Sequence, residues 1–403
     1  MGMLEDGVEE QVMLPPRPLK ASKGRGAVSN LQGRFETRAR ESFDDGWPED
    51  DDAGEATRFK TQVSEEFAKT ILSRNSSPDI PFNVSLNPYR GCEHGCIYCF
   101  ARPTHSFLGL SPGMDFESRL FAKVNAPDLL RRELGLPSYH PEPIAIGVNT
   151  DAYQPCERER GITRRVLEVL GELAHPYALI TKSSLIERDI DLIAPMAARR
   201  MAIAAVTLTT LDPAISRTLE PRSAAPARRL RTIRTLTDAG IAVRVSVAPV
   251  IPFITEPDLE RVLEAAHDAG AVSAHYVVLR LPWEVSPLFQ QWLQAHFPDR
   301  AQRVMNRVRE MRGGKDYDGD FRQRMSGEGV WADLIRQRFV KTVARLGMNL
   351  SSGRFGELDV TQFRRPVAAP AAAPARAQAK ARAASNGQLD LFGAAPPAGA
   401  HRN

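Results

Sequence analysis

Short runs rich in Val, Ile, Leu and Ala recur along the chain, separated by longer stretches in which apolar positions return every three to four residues. The short runs predict buried strands over Asn83–Leu86, Ile144–Asn149, Tyr177–Thr181, Ala202–Leu208, Ala242–Ala248 and His275–Leu279. The longer stretches predict helices over Ala126–Leu134, Gly161–Ala174, Leu185–Arg199, Ala227–Ala239, Pro257–Ala269 and Val285–His296. Gly240 and Gly270 each follow a helical stretch and precede a strand, where a left-handed residue ends a helix. Pro257 and Asp258 suit a first helical turn, with Thr255 or Glu256 near the cap. Strands that alternate with helices require right-handed crossovers, which predicts an α/β fold around a parallel sheet, either open and doubly wound or a full or partial (β/α) barrel. Polar residues gather at the C-terminal ends of these strands: Asn149-Thr150-Asp151, Thr181-Lys182-Ser183-Ser184, Thr207 through Thr210, and Arg280. In either architecture that end carries the ligand site.

The periodicity stops at both flanks. From Met1 to about Arg74 there are scattered Gly and Arg residues and an acidic run from Asp44 through Asp52, a composition that predicts a mostly disordered arm. Phe35 is the candidate residue for pinning that arm onto the body. Residues 364–403 are Ala/Pro-rich and predict a flexible tail, which leaves 75–363 as the folded body. With 403 residues, 42% hydrophobic and 25% charged, the chain can bury a sizeable core. A formal net charge of +4 excludes coating of nucleic acid through bulk charge, so any such contact is local. No charged segment followed by an apolar stretch opens the sequence, and no run of about 18 apolar residues occurs. A cytoplasmic protein without a membrane span is the expectation.

Of the four cysteines, Cys92, Cys96 and Cys99 fall within eight residues, and Cys156 stands apart. Clustered thiols are unlike a secreted disulfide framework and suggest a metal in a reducing compartment. The spacing is Cys-x3-Cys-x2-Cys directly after the first predicted strand, with Gly91 and Gly95 freeing the backbone to wrap a centre. Zinc requires a fourth protein ligand, for which His94 and His105 are the nearby candidates, although His94 sits between two thiols on a tight loop. A cubane iron–sulfur cluster held by three thiolates leaves one iron open to a further ligand.

The segment Asn87-Pro-Tyr-Arg-Gly-Cys92-Glu-His-Gly-Cys96-Ile-Tyr98-Cys99-Phe-Ala-Arg resembles the cluster motif of the radical S-adenosylmethionine (SAM) superfamily. With Asn149-Thr-Asp-x-Tyr-Gln-Pro155, Ile180-Thr-Lys-Ser183 and Pro249-Val-Ile-Pro252, it is similar to the spore photoproduct lyase-like, or DNA repair photolyase-like, subgroup. The resemblance implies a partial (β/α)6 barrel and a 4Fe-4S cluster held by Cys92, Cys96 and Cys99, whose open iron binds SAM. It also implies reductive cleavage of SAM to a 5′-deoxyadenosyl radical that takes a hydrogen atom from substrate. An electron donor such as flavodoxin or ferredoxin is a further implication.

Carried over residue by residue, the resemblance sets Tyr98 near the SAM adenine. The family's Gly-Gly-Glu-type segment is replaced by Gly147-Val-Asn149-Thr150-Asp151, so Asn149, Thr150 and Asp151 become the candidate SAM contacts at that strand end. Lys182 and Ser183 are candidates for the SAM carboxylate or ribose, and Thr207 and Thr209 for the ribose. Cys156 is the candidate thiol that returns a hydrogen atom to a product radical, and Arg280 a candidate for the substrate pocket. Arg217, Glu220, Arg222, Arg228, Arg229, Arg231 and Arg234 form a charge-dense region, either a solvated helix face or a phosphate-contacting edge. In the tail, Gln388-Leu-Asp-Leu-Phe392 resembles the peptide with which bacterial repair proteins bind the β sliding clamp. The expectation is a radical SAM enzyme acting on damaged DNA or another nucleic acid. The alternatives are a radical SAM enzyme of proteins or small metabolites, and a non-catalytic metal-stabilised binding protein.

Overall fold

In the computed structural model, residues 23–36, 60–349 and 357–366 are described. Ten strands occur among them: β1 (Gln62–Glu66), β2 (Leu72–Arg74), β3 (Val84–Leu86), β4 (Tyr89–Arg90), β5 (Arg119–Lys123), β6 (Ile144–Ile146), β7 (Tyr177–Thr181), β8 (Ala202–Thr207), β9 (Val243–Val250) and β10 (Ser273–Val278). The larger sheet has the order β10-β9-β8-β7-β6-β3-β2. Its six strands from β3 to β10 are parallel and lie side by side in chain order, with β2 antiparallel on one edge. This is the α/β arrangement of a partial (β/α)6 barrel.

The crossover helices are α2 (Ala126–Gly135), α4 (Ile162–Glu172), α5 (Ile190–Ala198), α7 (Pro226–Asp238) and α8 (Leu259–Asp268). Between them stand the short helices α1 (Met114–Ser118), α3 (Glu157–Arg160) and α6 (Pro213–Leu219). After β10 come α9 (Val285–His296), α10 (Pro298–Glu310) and α11 (Gly329–Arg345), of which only α9 is legible from periodicity.

Alternation along the strands separates two faces. Ile144 and Ile146, Tyr177 and Leu179, and Val243, Val245 and Val247 join helix residues such as Val166, Leu170, Ile233 and Val262 in one core. Each fully buried aliphatic side chain there stabilises the fold by about 1.5–3 kcal/mol. The alternate positions Ala145, Ala178 and Ile203 form a separate small cluster with Leu358.

The body reaches beyond 75–363 at both ends. β2 pairs with β3 through Leu72, Ser73 and Arg74, and β1 pairs in parallel with β5. Residues 60–74 therefore belong to the fold and not to an arm, because backbone pairing, which leaves no apolar pattern, holds them. Arg364 donates its N–H to the Leu173 carbonyl at 2.8 Å, and the Arg365 guanidinium donates to the Tyr139 carbonyl at 2.9 Å. Residues 23–36 of the expected arm are also described and pack on the body, whereas residues 1–22, 37–59 and 367–403, with Gln388–Phe392, lie outside the described residues. No helix among the described residues is long and apolar enough to cross a membrane.

Candidate active site

The second sheet, in the order β1-β5-β4, sets the start of the cysteine loop. β4 ends at Arg90, Gly91 turns at φ +72°, and the Cys92 N–H donates to the Phe116 carbonyl at 2.9 Å. A side chain at Gly91 would meet Leu120 at 2.6 Å, so the turn needs glycine for both its angle and its space. Gly95 turns again at φ +65°. Behind the loop, the fully buried Arg102 donates to the carbonyls of Cys96 (2.9 Å), Gly95 (3.0 Å), Gly113 (2.9 Å) and Pro112 (3.1 Å). It pairs with the equally buried Glu117. The same carboxylate accepts the N–H groups of Gly26 (3.0 Å) and Ala27 (2.8 Å), which fastens the first described segment against the loop.

The front is closed by the β6 end. The Asn87 side-chain oxygen accepts the Asn149 N–H at 2.9 Å, and Gln154 bridges the loop by accepting from Glu93 (2.8 Å) and donating to Gly91 (3.2 Å). The Thr150 hydroxyl donates to the Tyr89 carbonyl at 2.9 Å. Asp151 takes the Thr181 hydroxyl at 2.7 Å and the Lys182 N–H at 2.8 Å, and stands 3.3 Å from the His94 ring. On the other side the Tyr98 hydroxyl donates to Glu220, which Arg229 holds at 2.5 Å. Arg229 also donates to the Thr207 carbonyl at 2.9 Å, tying the loop to the end of β8.

Burial pushes the Cys92 thiol well up, with Asp151 and the other two thiols adding to the effect. Burial also pushes Cys96 up to about 12, although Lys182 opposes it. Burial alone would lower Lys182, but Cys96, Glu220 and Asp151 raise it above the ordinary lysine value. Asp151 is held at about 2, because His94, the Lys182 N–H and the Thr181 hydroxyl outweigh the cost of burying it. Two buried thiols whose ionisation is opposed, on a loop fixed by Arg102, fit a cationic metal centre that would compensate the thiolates. The histidines weighed for zinc are engaged elsewhere: His94 faces Asp151, and His105 Nε2 meets the Arg119 carbonyl at 2.9 Å. No three His, Cys, Asp or Glu side chains among the described residues are arranged around a single-ion site.

Residues 86–266, which carry this loop and the β6–β9 ends, match the Radical SAM superfamily. An uncharacterized protein of Mycobacterium tuberculosis is 36% identical over 250 residues, covering 61% of this chain and 72% of that one. The chain belongs to the radical SAM superfamily. An uncharacterized protein of Methanocaldococcus jannaschii is 24% identical over 249 residues, covering 62% of this chain and 89% of its own. Among solved structures, spore photoproduct lyase complexed with dinucleoside spore photoproduct is 14% identical, with a TM-score of 0.45 over 71% of this chain and 80% of that one. The radical SAM family implies a 4Fe-4S cluster and SAM.

Around the radical SAM loop the structure brings together Cys92, Cys96, Cys99, Tyr98, Asp151 and Lys182, whose ammonium lies 5.9 Å from the Tyr98 ring centroid. The buried Thr150 and the Asp151 carboxylate are spent on protein partners, whereas the Asn149 side chain is exposed at the strand end. Ser183 caps the turn after β7 by accepting the Leu185 N–H at 3.2 Å. Thr207 is buried, and the Thr209 hydroxyl is buried without a partner. The Arg280 guanidinium lies 5.4 Å over the Phe100 ring. Cys156 precedes α3 among Glu93, Glu157 and Arg160. Of the charge-dense region, Arg229 is buried on Glu220, Arg228 pairs with Glu187 at 2.6 Å and Arg222 with Glu93 at 3.0 Å. These three tie elements together and do not form a free phosphate edge; Arg217, Arg231 and Arg234 are exposed. Asn87, Gln154, Arg102 and Glu117 were given no role from sequence; the first three sit inside the quoted motifs, and Glu117 carries no local signal.

Proposed function

We propose that this chain is a radical SAM enzyme that acts on a nucleic acid, with damaged DNA as the substrate. Cys92, Cys96 and Cys99 would hold a 4Fe-4S cluster, which supplies one-electron cleavage of SAM to a 5′-deoxyadenosyl radical when both are bound. Lys182 presents its ammonium beside Cys96 and Tyr98, where it can receive the SAM carboxylate. Tyr98, fixed by Glu220 and Arg229, offers a ring face to the adenine. The Thr209 hydroxyl and the Asn149 side chain are available to the rest of the cofactor, as is Ser183 beside the capped turn. Burial first, then Glu93 and Glu157, push the Cys156 thiol above its ordinary value, so it stays protonated and able to give up a hydrogen atom.

The observation that carries the nucleic-acid reading is Arg280. Its guanidinium overlies Phe100, the residue after Cys99, and donates to the Met325 sulfur at 3.2 Å; its buried Nε has no partner, and no carboxylate among the described residues forms a salt bridge with it. A cation at the edge of the site that no carboxylate neutralises suits a phosphodiester. The test is SAM cleavage by the reconstituted enzyme with undamaged DNA, UV-irradiated DNA or no DNA. Stimulation by irradiated DNA that is lost in Arg280→Ala supports the reading; equal cleavage in all three overturns it. Transfer of solvent-derived hydrogen to product that is undisturbed in Cys156→Ala would remove that thiol from the scheme.

A further inference from the structure

Three exposed aromatic side chains from separate parts of the chain are linked through Phe35 and Arg34. Phe107 lies in the turn of 3-10 helix that follows the motif and is 70% exposed; Trp283, after β10 and Arg280, is 64% exposed; Phe35, from the first described segment, is 53% exposed. The Phe35 and Phe107 rings lie 4.9 Å apart and tilted by 31°. The Arg34 guanidinium sits 4.4 Å over the Trp283 ring and 5.5 Å from that of Phe35, with its Nε on Glu284 at 2.7 Å. Trp283 is held at φ +46°, a conformation that strains a bulky L-residue. A strained tryptophan left in water is a poor stability device, and that points to function.

We propose that Phe35, Phe107 and Trp283, with Arg34 among them, form a stacking platform for the bases of an unpaired or distorted nucleic-acid strand entering the site. The inference rests on the nucleic-acid reading above and names the surface that receives the strand. The patch consists of ring faces and one guanidinium plane, the chemistry that stacks on any base. The exposed aliphatic residues an apolar protein interface would use lie elsewhere: Leu136 after α2, Val272 before β10, and Val330, Leu334 and Val340 on α11. Since Glu284 neutralises Arg34, the platform acts through stacking and contributes little to phosphate binding.

The test is fluorescence anisotropy of a labelled oligothymidylate strand and of its duplex with oligoadenylate, titrated with full-length, cluster-loaded protein across a range of salt. Trp283→Gly and Phe107→Ser are each expected to weaken single-strand binding by about five- to a hundredfold, with the slope of log affinity against log salt unchanged. Because glycine accepts the left-handed angle, Trp283→Gly is expected to melt no lower than wild type, so weaker binding is not misfolding. Wild-type binding that both variants retain in full overturns the platform and leaves the nucleic-acid reading intact. A wild type that cleaves SAM yet binds neither probe at any salt overturns both.

Discussion

Removing the Glu117 carboxylate is the sharpest structural perturbation available near the cysteine loop. Glu117 and Arg102 are both fully buried, and Glu117 also accepts two N–H groups from Gly26 and Ala27. In Glu117→Ala the Arg102 charge is stranded in the interior, a loss of about 3–5 kcal/mol that its remaining carbonyl partners soften. The two orphaned N–H groups add about 1 kcal/mol each, and with the Arg102 loss softened to about 3 kcal/mol by those carbonyls the total is about 5 kcal/mol. At roughly 2 °C per kcal/mol for a domain of this size, the melting temperature should fall by about 10 °C. Because Arg102 also holds the carbonyls of Gly95 and Cys96, iron retained per chain after reconstitution and desalting should fall as well. Thermal unfolding and iron content, both measured anaerobically, read out the two effects. Glu172→Ala, which breaks the exposed pair with Arg131, serves as the control and should shift melting by only about 1 °C. If Glu117→Ala behaves like this control in both assays, the buried pair does not hold the loop and the reasoning fails.

Gly26 is packed so closely that a Cβ there would lie 1.9 Å from the Gly95 carbonyl oxygen, so Gly26→Ala should lower both stability and iron retention, whereas Gly24→Ala, where nothing lies within 4 Å of the added carbon, should spare iron retention. Lys182→Ala should keep its iron but weaken SAM binding by about ten- to a hundredfold, as expected for one lost charge-assisted contact, measured by calorimetry on the loaded protein. Burial drives the His175 imidazole down to about 4, so below about pH 6.5 the unfolded chain takes up a proton that the native state refuses. Its contribution is therefore full above about pH 6.5 and declines by about 3 kcal/mol as pH falls to about 4. Melting curves over that range should be shallower for His175→Gln, and an unchanged slope would contradict the assignment.

Most of the parallel strands could be read from sequence because, like β8, they are short runs rich in Val, Ile, Ala or Leu and buried on both faces, and β7 coincides with its prediction at Tyr177–Thr181. β1 could not: Gln62–Glu66 is largely solvated and is held by pairing to β5, which imposes no apolar pattern. The segment around Arg25 has the polar, glycine-rich composition of a disordered arm, yet it is ordered by a buried carboxylate some 90 residues away. In the site, the cysteine spacing announces itself because three ligands share one loop. The Tyr98–Glu220–Arg229 chain joins residues more than a hundred positions apart, and only burial separates Arg229 from its exposed arginine neighbours. Thr150 and Asp151 show the opposite case, polar residues at a strand end that look like cofactor contacts but lock the loop that would carry the cofactor.

The central claim is that Cys92, Cys96 and Cys99 hold a redox cluster for SAM cleavage, and anaerobic reconstitution followed by dithionite reduction with SAM tests it most directly. About four irons per chain, a 4Fe-4S spectrum and formation of 5′-deoxyadenosine, all lost when any one of the three cysteines is replaced by alanine, is the predicted result. Tight binding of one zinc per chain, with no cluster spectrum and no 5′-deoxyadenosine, would contradict it.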